Sequence, residues 1–205
     1  MSSGFPQRML WIVLGVSLLL IGGLSIAKWQ SSHIPHLEDY GAIPDFSLLD
    51  QSGTPVSNFR GHIWVADMIF THCGSLCPTL TSKMLALQSA LKGNNSVRLV
   101  SVSVDPRDDT PDTLRNYAET HHADTSRWMF LTGTTKAVYD LIKGGFHMPL
   151  DSVGGDQKNI PIIHSPRMIL IDARGHMRGY YNGLEPATQS KILSDVSALE
   201  AEAGQ

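Results

Sequence analysis

The sequence predicts an α/β fold, a sandwich of helices on a mixed central sheet. Two patterns predict it. Short apolar segments rich in Val and Ile alternate with segments whose apolar residues recur at helical spacing. The chain then closes with a hairpin and one more helix, which adds antiparallel strands to parallel ones. At 205 residues the chain has room for one such domain and an N-terminal extension.

The N-terminal segment from Met9 to Ala27 carries no charge and has the length of a bilayer span. As a helix it rises about 28 Å, close to the roughly 30 Å hydrocarbon core. We therefore predict a tail over residues 1–8, a transmembrane anchor over residues 9–27 and a linker over residues 28–42. Ser25-Ile26-Ala27 also fits a signal-peptidase site, so a cleaved signal is the alternative to the favoured anchor. Both interpretations put the rest of the chain on the non-cytoplasmic side.

The globular domain is predicted to span residues 43–205, and its first elements surround a pair of cysteines. Their predicted order is a hairpin (Phe46–Leu49 and Pro55–Ser57), a central strand (Ile63–Phe70), a helix (Pro78–Leu91) and a strand (Val97–Val104). Asp67 is the one charge in the central strand. Because a buried carboxylate is costly without a partner, we expect it to face a polar pocket or an edge.

The second half of the domain is predicted to alternate in the same way. Thr110-Pro111-Asp112 combines an N-cap, a proline and an early acid, which predicts a helix that runs to His121. The later elements are a strand (Trp128–Leu131), a helix (Thr135–Lys143), two hairpin strands (Arg167–Ile171 and His176–Tyr181) and a helix (Pro186–Glu200). Residues 144–163 lack periodicity and predict a long loop, which in a compact domain is usually functional or mobile.

Composition restricts the function mainly by exclusion. The formal net charge is −3 and no basic run is present, so a nucleic-acid partner is not expected. The chain has two cysteines, whereas a fold that depends on disulfides would have more.

Those two cysteines, Cys73 and Cys77 in THCGSLCP, are the main candidate functional residues. They lie between the central strand and the helix predicted from Pro78, so Cys77 is near a helix N-terminus, where a thiolate is stabilised. Such a pair either closes a disulfide or binds one soft metal ion, and the spacing leaves both open. A structural staple is disfavoured, because a disulfide across three residues constrains little of the unfolded chain.

A metal site needs a third ligand, and His164 is the candidate by its position. It follows Pro161-Ile162-Ile163 and stands just before the predicted strand Arg167–Ile171, where a rigid scaffold holds a side chain well. Sulfur ligands select copper(I), and an added imidazole lets the same site hold copper(II). The chain has nine histidines, so position alone does not separate His164 from an ordinary loop histidine.

Several motifs stand in an order and spacing that is more specific than any one of them. They are Pro44–Leu48, Phe70–Cys73 with Cys77–Thr79, Val102–Pro111, Leu131–Gly133, and His164-Ser165 ahead of Ile169–Asp172. In these motifs the chain from Ile43 to Tyr181 resembles the Sco/SenC family. These are thioredoxin-fold proteins that deliver copper to the binuclear copper centre of cytochrome c oxidase. The single N-terminal anchor fits the resemblance as well.

The resemblance implies that Cys73, Cys77 and His164 are the ligands of a copper ion, Cu(I), Cu(II) or both. It implies a thioredoxin-like α/β sandwich with a mixed central sheet, preceded by one transmembrane helix. It also implies a bacterial periplasmic copper chaperone rather than an enzyme. The implied partners are the copper-site subunit of cytochrome c oxidase and other copper chaperones. Two residues depart from the family pattern: Gly74 stands where many members have proline, and Ile163 where many have aspartate.

A different class of function stays open beside the chaperone. As a thiol–disulfide oxidoreductase, the chain would cycle Cys73 and Cys77 between thiols and disulfide and reduce the cysteines of the oxidase copper site. That role does not require His164, whereas a three-ligand copper site does. A peroxidase is disfavoured, because its peroxidatic cysteine needs an activating pocket of its own.

Nearby residues are secondary candidates. His72 adjoins Cys73, but simple solvent exposure is the favoured interpretation. Asp105 either forms a turn or places a carboxylate near the metal loop, and both interpretations stay open. For His147-Met148 and for a cis peptide bond at Pro166, the interpretation without a function is favoured.

Overall fold

The computed structural model describes residues 11–19, 22, 37–72, 76–148 and 166–204. Contacts divide the chain into two units, Met1–His36 and Leu37–Gln205. In the first unit, residues 11–19 form helix α1, whose large apolar side chains are exposed. Within the described ranges no helix has both the length and the hydrophobicity to cross a bilayer. The anchor over residues 9–27 therefore stays a prediction.

The second unit contains a seven-stranded sheet and the helices that cover it. Up to residue 148 its elements are β1 (Leu48–Asp50), β2 (Pro55–Val56), β3 (Ile63–Ile69), α2 (Leu76–Ala90), β4 (Val97–Ser103), α3 (Pro111–Thr120), β5 (Trp128–Thr132), α4 (Thr135–Asp140) and a π-helix (Leu141–Gly145). After it come β6 (Arg167–Ile171), β7 (Met177–Asn182) and α5 (Thr188–Ala203).

The sheet is mixed, as the sequence predicts. Its strand order is β2-β1-β5-β4-β3-β6-β7. The central strands β3, β4 and β5 are parallel, and the remaining pairs are antiparallel. Because parallel strands end at the same edge, the segments that follow β3, β4 and β5 all lie at one end of the sheet. That end carries the cysteine motif.

The core lies on both faces of the sheet. In β3 every residue is buried, and alternate side chains point to opposite faces: Trp64, Ala66 and Met68 to one face, Val65 and Ile69 to the other. The first face packs against the π-helix region, and the second packs against α2, α3 and α5. A strand buried on both faces is continuously apolar, which explains why Asp67 is conspicuous in it.

Several helix boundaries differ from the predicted ones, and α5 for example ends at Ala203 rather than Glu200. Helix α2 begins at Leu76 rather than Pro78, because proline fits anywhere in a first turn, where its missing N–H is not needed. Helix α5 begins at Thr188 rather than Pro186. The predicted helix Thr135–Lys143 is α-helical only to Asp140 and continues as the π-helix.

Tertiary packing accounts for the π-helix. The Phe146 N–H donates to the carbonyl oxygen of Leu141, five residues earlier, over 2.8 Å. A Cβ at Gly145 would lie 2.8 Å from Leu141 Cδ1 and 3.1 Å from Ile43 Cγ2, so a larger residue here would have to displace these side chains. The predicted loop from Gly144 consequently begins inside this element, and its residues 149–165 lie outside the described ranges.

The opposite end of the sheet is closed by a buried arginine. Arg178 of β7 is 3% exposed and forms ion pairs with Asp172 and Glu202, over 3.1 and 2.9 Å. Its guanidinium also donates to the main-chain carbonyls of Leu37 and Glu38 over 3.0 Å. These bonds attach residues 37–38, which fall within the predicted linker, to the domain.

Candidate metal centre

Cys77 is the predicted ligand whose surroundings the structure describes. It is the second residue of α2 and is 5% exposed. It lies on the buried side of the helix, which Leu80, Thr81 and Met84 continue at helical spacing. The first turn of α2 contains no acidic residue, so no carboxylate there opposes the positive helix end. This position favours a thiolate.

Cys73 and His164 lie outside the described residues, as do Gly74 and Ile163. Ser165, which precedes Pro166, lies outside them too, so the peptide bond at that proline stays untested. Within the ranges that the structure describes, no three His, Cys, Asp or Glu side chains are grouped to hold a metal. The three-ligand set of Cys73, Cys77 and His164 therefore stays a prediction.

The chain that leads into the dithiol is held by a buried carboxylate, Asp109. The Thr71 hydroxyl donates to Asp109 Oδ1 over 2.5 Å, and the Thr71 N–H points at both oxygens over 3.3 Å. The Ser103 hydroxyl donates to Asp109 Oδ2 over 2.5 Å. The segments after β3 and β4 are thus joined just before Cys73.

Asp105 fills the first of its two predicted roles, the turn, and the second, a carboxylate near the metal loop, stays a prediction. Its carbonyl oxygen accepts hydrogen bonds from the N–H groups of Asp108 and Asp109, as a turn residue does. Its side chain is also buried, and within the described residues Oδ1 has no hydrogen-bond partner. Burial, together with the charges of Asp108 and Asp109, raises the pKa of this carboxyl.

Asp67 lies in the interior of the sheet, not at an edge. Its Oδ1 accepts a 2.5 Å hydrogen bond from the Ser101 hydroxyl, which in turn accepts one from the Trp128 indole over 2.9 Å. Oδ2 has no hydrogen-bond partner within the described residues. Burial raises the pKa of Asp67 to about 7, although the bond from Ser101 opposes the shift. The expected polar pocket is this small buried network.

The two histidines that were secondary candidates, His72 and His147, are both exposed to solvent. His72 is exposed, as favoured from the sequence, and its Nδ1 lies 3.3 Å from the Thr71 hydroxyl. His147 is exposed, whereas the neighbouring Met148 is 2% exposed and belongs to the core. A thioether packed in the core is not available to a metal in transit.

Sequence reasoning missed Thr71, Ser103 and Asp109 as a unit. Thr71 and Asp109 lie in the two motifs on either side of α2, but neither motif shows that they touch. They are 38 positions apart, and parallel pairing of β3 with β4 brings them together. The contact could have been predicted from one pattern: both motifs follow strands that pair in parallel, so they end at the same edge of the sheet.

Comparison with known proteins identifies the family. The family model SCO1/SenC matches residues 36–200. The chain belongs to the SCO1/SenC family. The curated relatives of this SCO1/SenC chain include the SCO1 protein homolog of Bacillus subtilis, which is 32% identical over 160 residues, 76% of this chain and 81% of the relative.

Solved structures support the SCO1/SenC assignment and the thioredoxin-like fold. A SCO1/SenC family lipoprotein from Bacillus anthracis superimposes with a TM-score of 0.70 at 30% identity, covering 80% of this chain and 98% of that one. BsSco, described as a cytochrome c oxidase assembly protein with a disulfide switch, gives 0.68 at 33% identity and the same coverage. ScoI of Bradyrhizobium japonicum, solved with copper bound, gives 0.62 at 22% over 77% and 98% of the two chains, a likeness of fold.

Proposed function

We propose that this SCO1/SenC chain is a membrane-anchored copper chaperone that delivers copper to the binuclear copper centre of cytochrome c oxidase. The observation that carries the proposal is the buried thiol of Cys77 in the first turn of α2, the helix that follows the central strand β3. The helix N-terminus favours the thiolate at this place, whereas burial opposes its ionisation, and a thiolate here would bind a soft metal ion. The description of BsSco as an oxidase assembly protein supports the choice of partner.

In this proposal copper is the cargo, and Cys73, Cys77 and His164 hold it. Each thiol releases a proton when it binds, so the helix end that favours the Cys77 thiolate also favours loading. Two sulfurs suit Cu(I), and the His164 imidazole extends the site to Cu(II). The copper-bound ScoI structure supports copper as the metal.

Delivery requires ligand exchange and no change to a covalent bond. Cysteine thiols of the oxidase copper-site subunit lose their protons as they displace Cys73, Cys77 and His164 one at a time, and the vacated Cys73 and Cys77 thiolates take up protons. The uncharged segment over residues 9–27 anchors the chain, with the domain in the bacterial periplasm. The exposed apolar side chains of α1 support this anchoring.

The test is copper binding by the full-length, reduced chain in detergent. We expect stoichiometric copper in the wild-type chain and a large loss in Cys73→Ser, Cys77→Ser and His164→Ala. His72→Ala is the matched control, because this exposed histidine adjoins Cys73 and is not a proposed ligand. Metal analysis and the absorption spectrum measure the result. Undiminished copper in His164→Ala would contradict the three-ligand site.

The second candidate is a thiol–disulfide oxidoreductase, which the disulfide switch described for BsSco favours. Cys73 and Cys77 would lose two electrons and two protons as they form a disulfide. The disulfide of the partner copper site would gain them and become two thiols, ready for copper. Oxidase assembly in cells separates the candidates: His164→Ala abolishes copper delivery but leaves this exchange intact.

A further inference from the structure

The buried carboxylate of Asp109 has an unusual set of partners. The side chain is 0% exposed, and its hydrogen bonds come from Thr71 and Ser103, all from neutral donors. In the part of the chain that the structure describes, no Lys, Arg or His forms an ion pair with it. Burying a carboxylate without a cation costs free energy, so stability alone does not explain its presence.

Thr71, one of the partners of Asp109, lies just beyond the end of β3, where hydrogen bonds between strands stop. Just past the end of β4, the Val104 N–H still donates a hydrogen bond to the Ile69 carbonyl at the end of β3, over 2.8 Å. Two residues later, Thr71 is bonded through both its N–H and its hydroxyl to Asp109. Asp109 therefore replaces strand pairing at the residue two positions before Cys73.

The described residues on the two sides of the cysteine loop, Thr71 and Cys77, are held by different means. Helix α2 fixes Cys77 through its buried side, and Asp109 fixes the chain that leads to Cys73. A fixed separation between two sulfurs strengthens both the binding of one metal ion and the closure of a disulfide, because less chain entropy is lost in either event. Loosening the Cys73 side should weaken both.

We propose that Asp109 is a positioning residue that holds the Cys73 arm of the dithiol through Thr71. The proposal rests on the proposed function of the Cys73/Cys77 pair and adds a residue that touches neither sulfur. Its anchor on the other side is Ser103, whose hydroxyl accepts the Asp105 N–H over 3.0 Å while it donates to Asp109. A carboxylate accepts hydrogen bonds on both oxygens here, whereas an asparagine amide keeps one acceptor oxygen and forces the hydroxyl on its N–H side to turn and accept instead.

The test compares Asp109→Asn, Thr71→Val and Thr71→Ser in the full-length chain. Cu(I) affinity, measured by competition with a chelator, should fall roughly 10–100-fold in Asp109→Asn, as for other residues that orient a metal ligand. The Cu(I) affinity of Thr71→Val should fall less, because this variant loses the hydroxyl and keeps the N–H. Thr71→Ser restores the hydroxyl and should bind as the wild type does.

A second readout does not involve copper. In thiol redox buffers, the Cys73–Cys77 disulfide of Asp109→Asn should be about tenfold easier to reduce, a midpoint shift of about 30 mV. If the wild-type chain binds copper no better than Cys73→Ser, the proposed function fails, yet this equilibrium still decides the role of Asp109.

Asp195→Asn is the matched control. Asp195 is a buried acid of α5 that accepts the Tyr181 hydroxyl over 2.7 Å and has no contact with Thr71 or Ser103 among its hydrogen bonds. The proposal would be overturned if Asp109→Asn and Asp195→Asn had the same copper affinity and the same disulfide stability per folded chain. Where Asp109→Asn does not fold, identical values for Thr71→Val and Thr71→Ser would overturn it.

Discussion

The pKa values of buried acids shift in opposite directions in the two halves of the central sheet. At the end closed by Arg178, burial alone would raise the pKa of Asp172, but hydrogen bonds from His176, Arg174 and Arg178 outweigh it and lower that pKa. In the half of the sheet that leads to the dithiol, burial raises the pKa of Asp67, and no bond from a cation offsets it.

The difference shows which end is built for stability. Asp172 has two arginine partners, and one of them, Arg178, also joins α5 and residues 37–38 to the sheet. Asp67, Asp105 and Asp109 have no ion pair within the described residues, and two of them keep an oxygen without a hydrogen-bond partner there. Uncompensated groups of this kind cluster where function, not stability, determines the residue.

The largest expected effect is at the compensated end. Arg178→Ala leaves Asp172 and Glu202 without their buried partner and frees the carbonyls of Leu37 and Glu38, so it should cost about 3–5 kcal/mol of unfolding free energy. Urea denaturation measures the loss. Arg174→Ala removes an exposed partner of the same Asp172 and should cost much less. A fall in copper affinity per folded chain of Arg178→Ala would break the contrast between the ends.

The next effect is a pH dependence at the dithiol half. With a pKa near 7 in the folded state and about 4 in the unfolded state, Asp67 holds its proton more tightly when folded. Its contribution to stability is therefore fully present below pH 4 and is lost as the pH rises to 7. Between pH 5 and pH 8 the wild type should lose about 2–3 kcal/mol from this group.

Asp67→Asn tests that dependence, because an amide keeps the shape and does not titrate. Urea unfolding of both proteins at pH 5 and pH 8 should show the difference in the wild type only. Ser101→Ala is a useful companion, since it removes the hydrogen bond that lowers the pKa of Asp67. The same pH slope in wild type and Asp67→Asn would show that this acid is compensated after all.

The smallest effect concerns a residue at the dithiol end whose role is purely structural. Thr110 caps α3, and its hydroxyl accepts the Thr113 N–H over 3.2 Å. Thr110→Ala should cost about 1 kcal/mol. Thr134→Ala, which removes the equivalent cap of α4, is the control. A loss of copper affinity in Thr110→Ala but not in Thr134→Ala would show that the start of α3 also sets the position of Asp109.

Local patterns predicted most of this fold. The apolar run of β3 and the helical spacing of α2 were sufficient, and the cap at Thr110 was readable from Thr110-Pro111-Asp112. The π-helix was not predictable, because it depends on the approach of Gly145 to Ile43, a contact between distant segments.

The candidate site divides in the same way. The place of Cys77 near the N-terminus of the helix that follows β3 followed from neighbouring residues, and the structure confirms it, with Cys77 the second residue of α2. The Thr71–Asp109 bond did not follow, because only parallel pairing across a crossover helix brings these residues together. Cys73 and His164 were identified by resemblance, and their geometry stays a prediction.

The attachment of the domain's first residues to β7 has a further consequence. Besides the bonds to Arg178, the Tyr40 N–H donates to the Met177 carbonyl, and the Met177 N–H donates to the Gly41 carbonyl. The outer backbone at the start of β7 is thereby occupied. The opposite border of the sheet is β2, two residues long with Pro55 in it. Such borders resist the addition of a foreign strand and edge-to-edge aggregation. A docking protein therefore finds little free backbone to pair with at these two places.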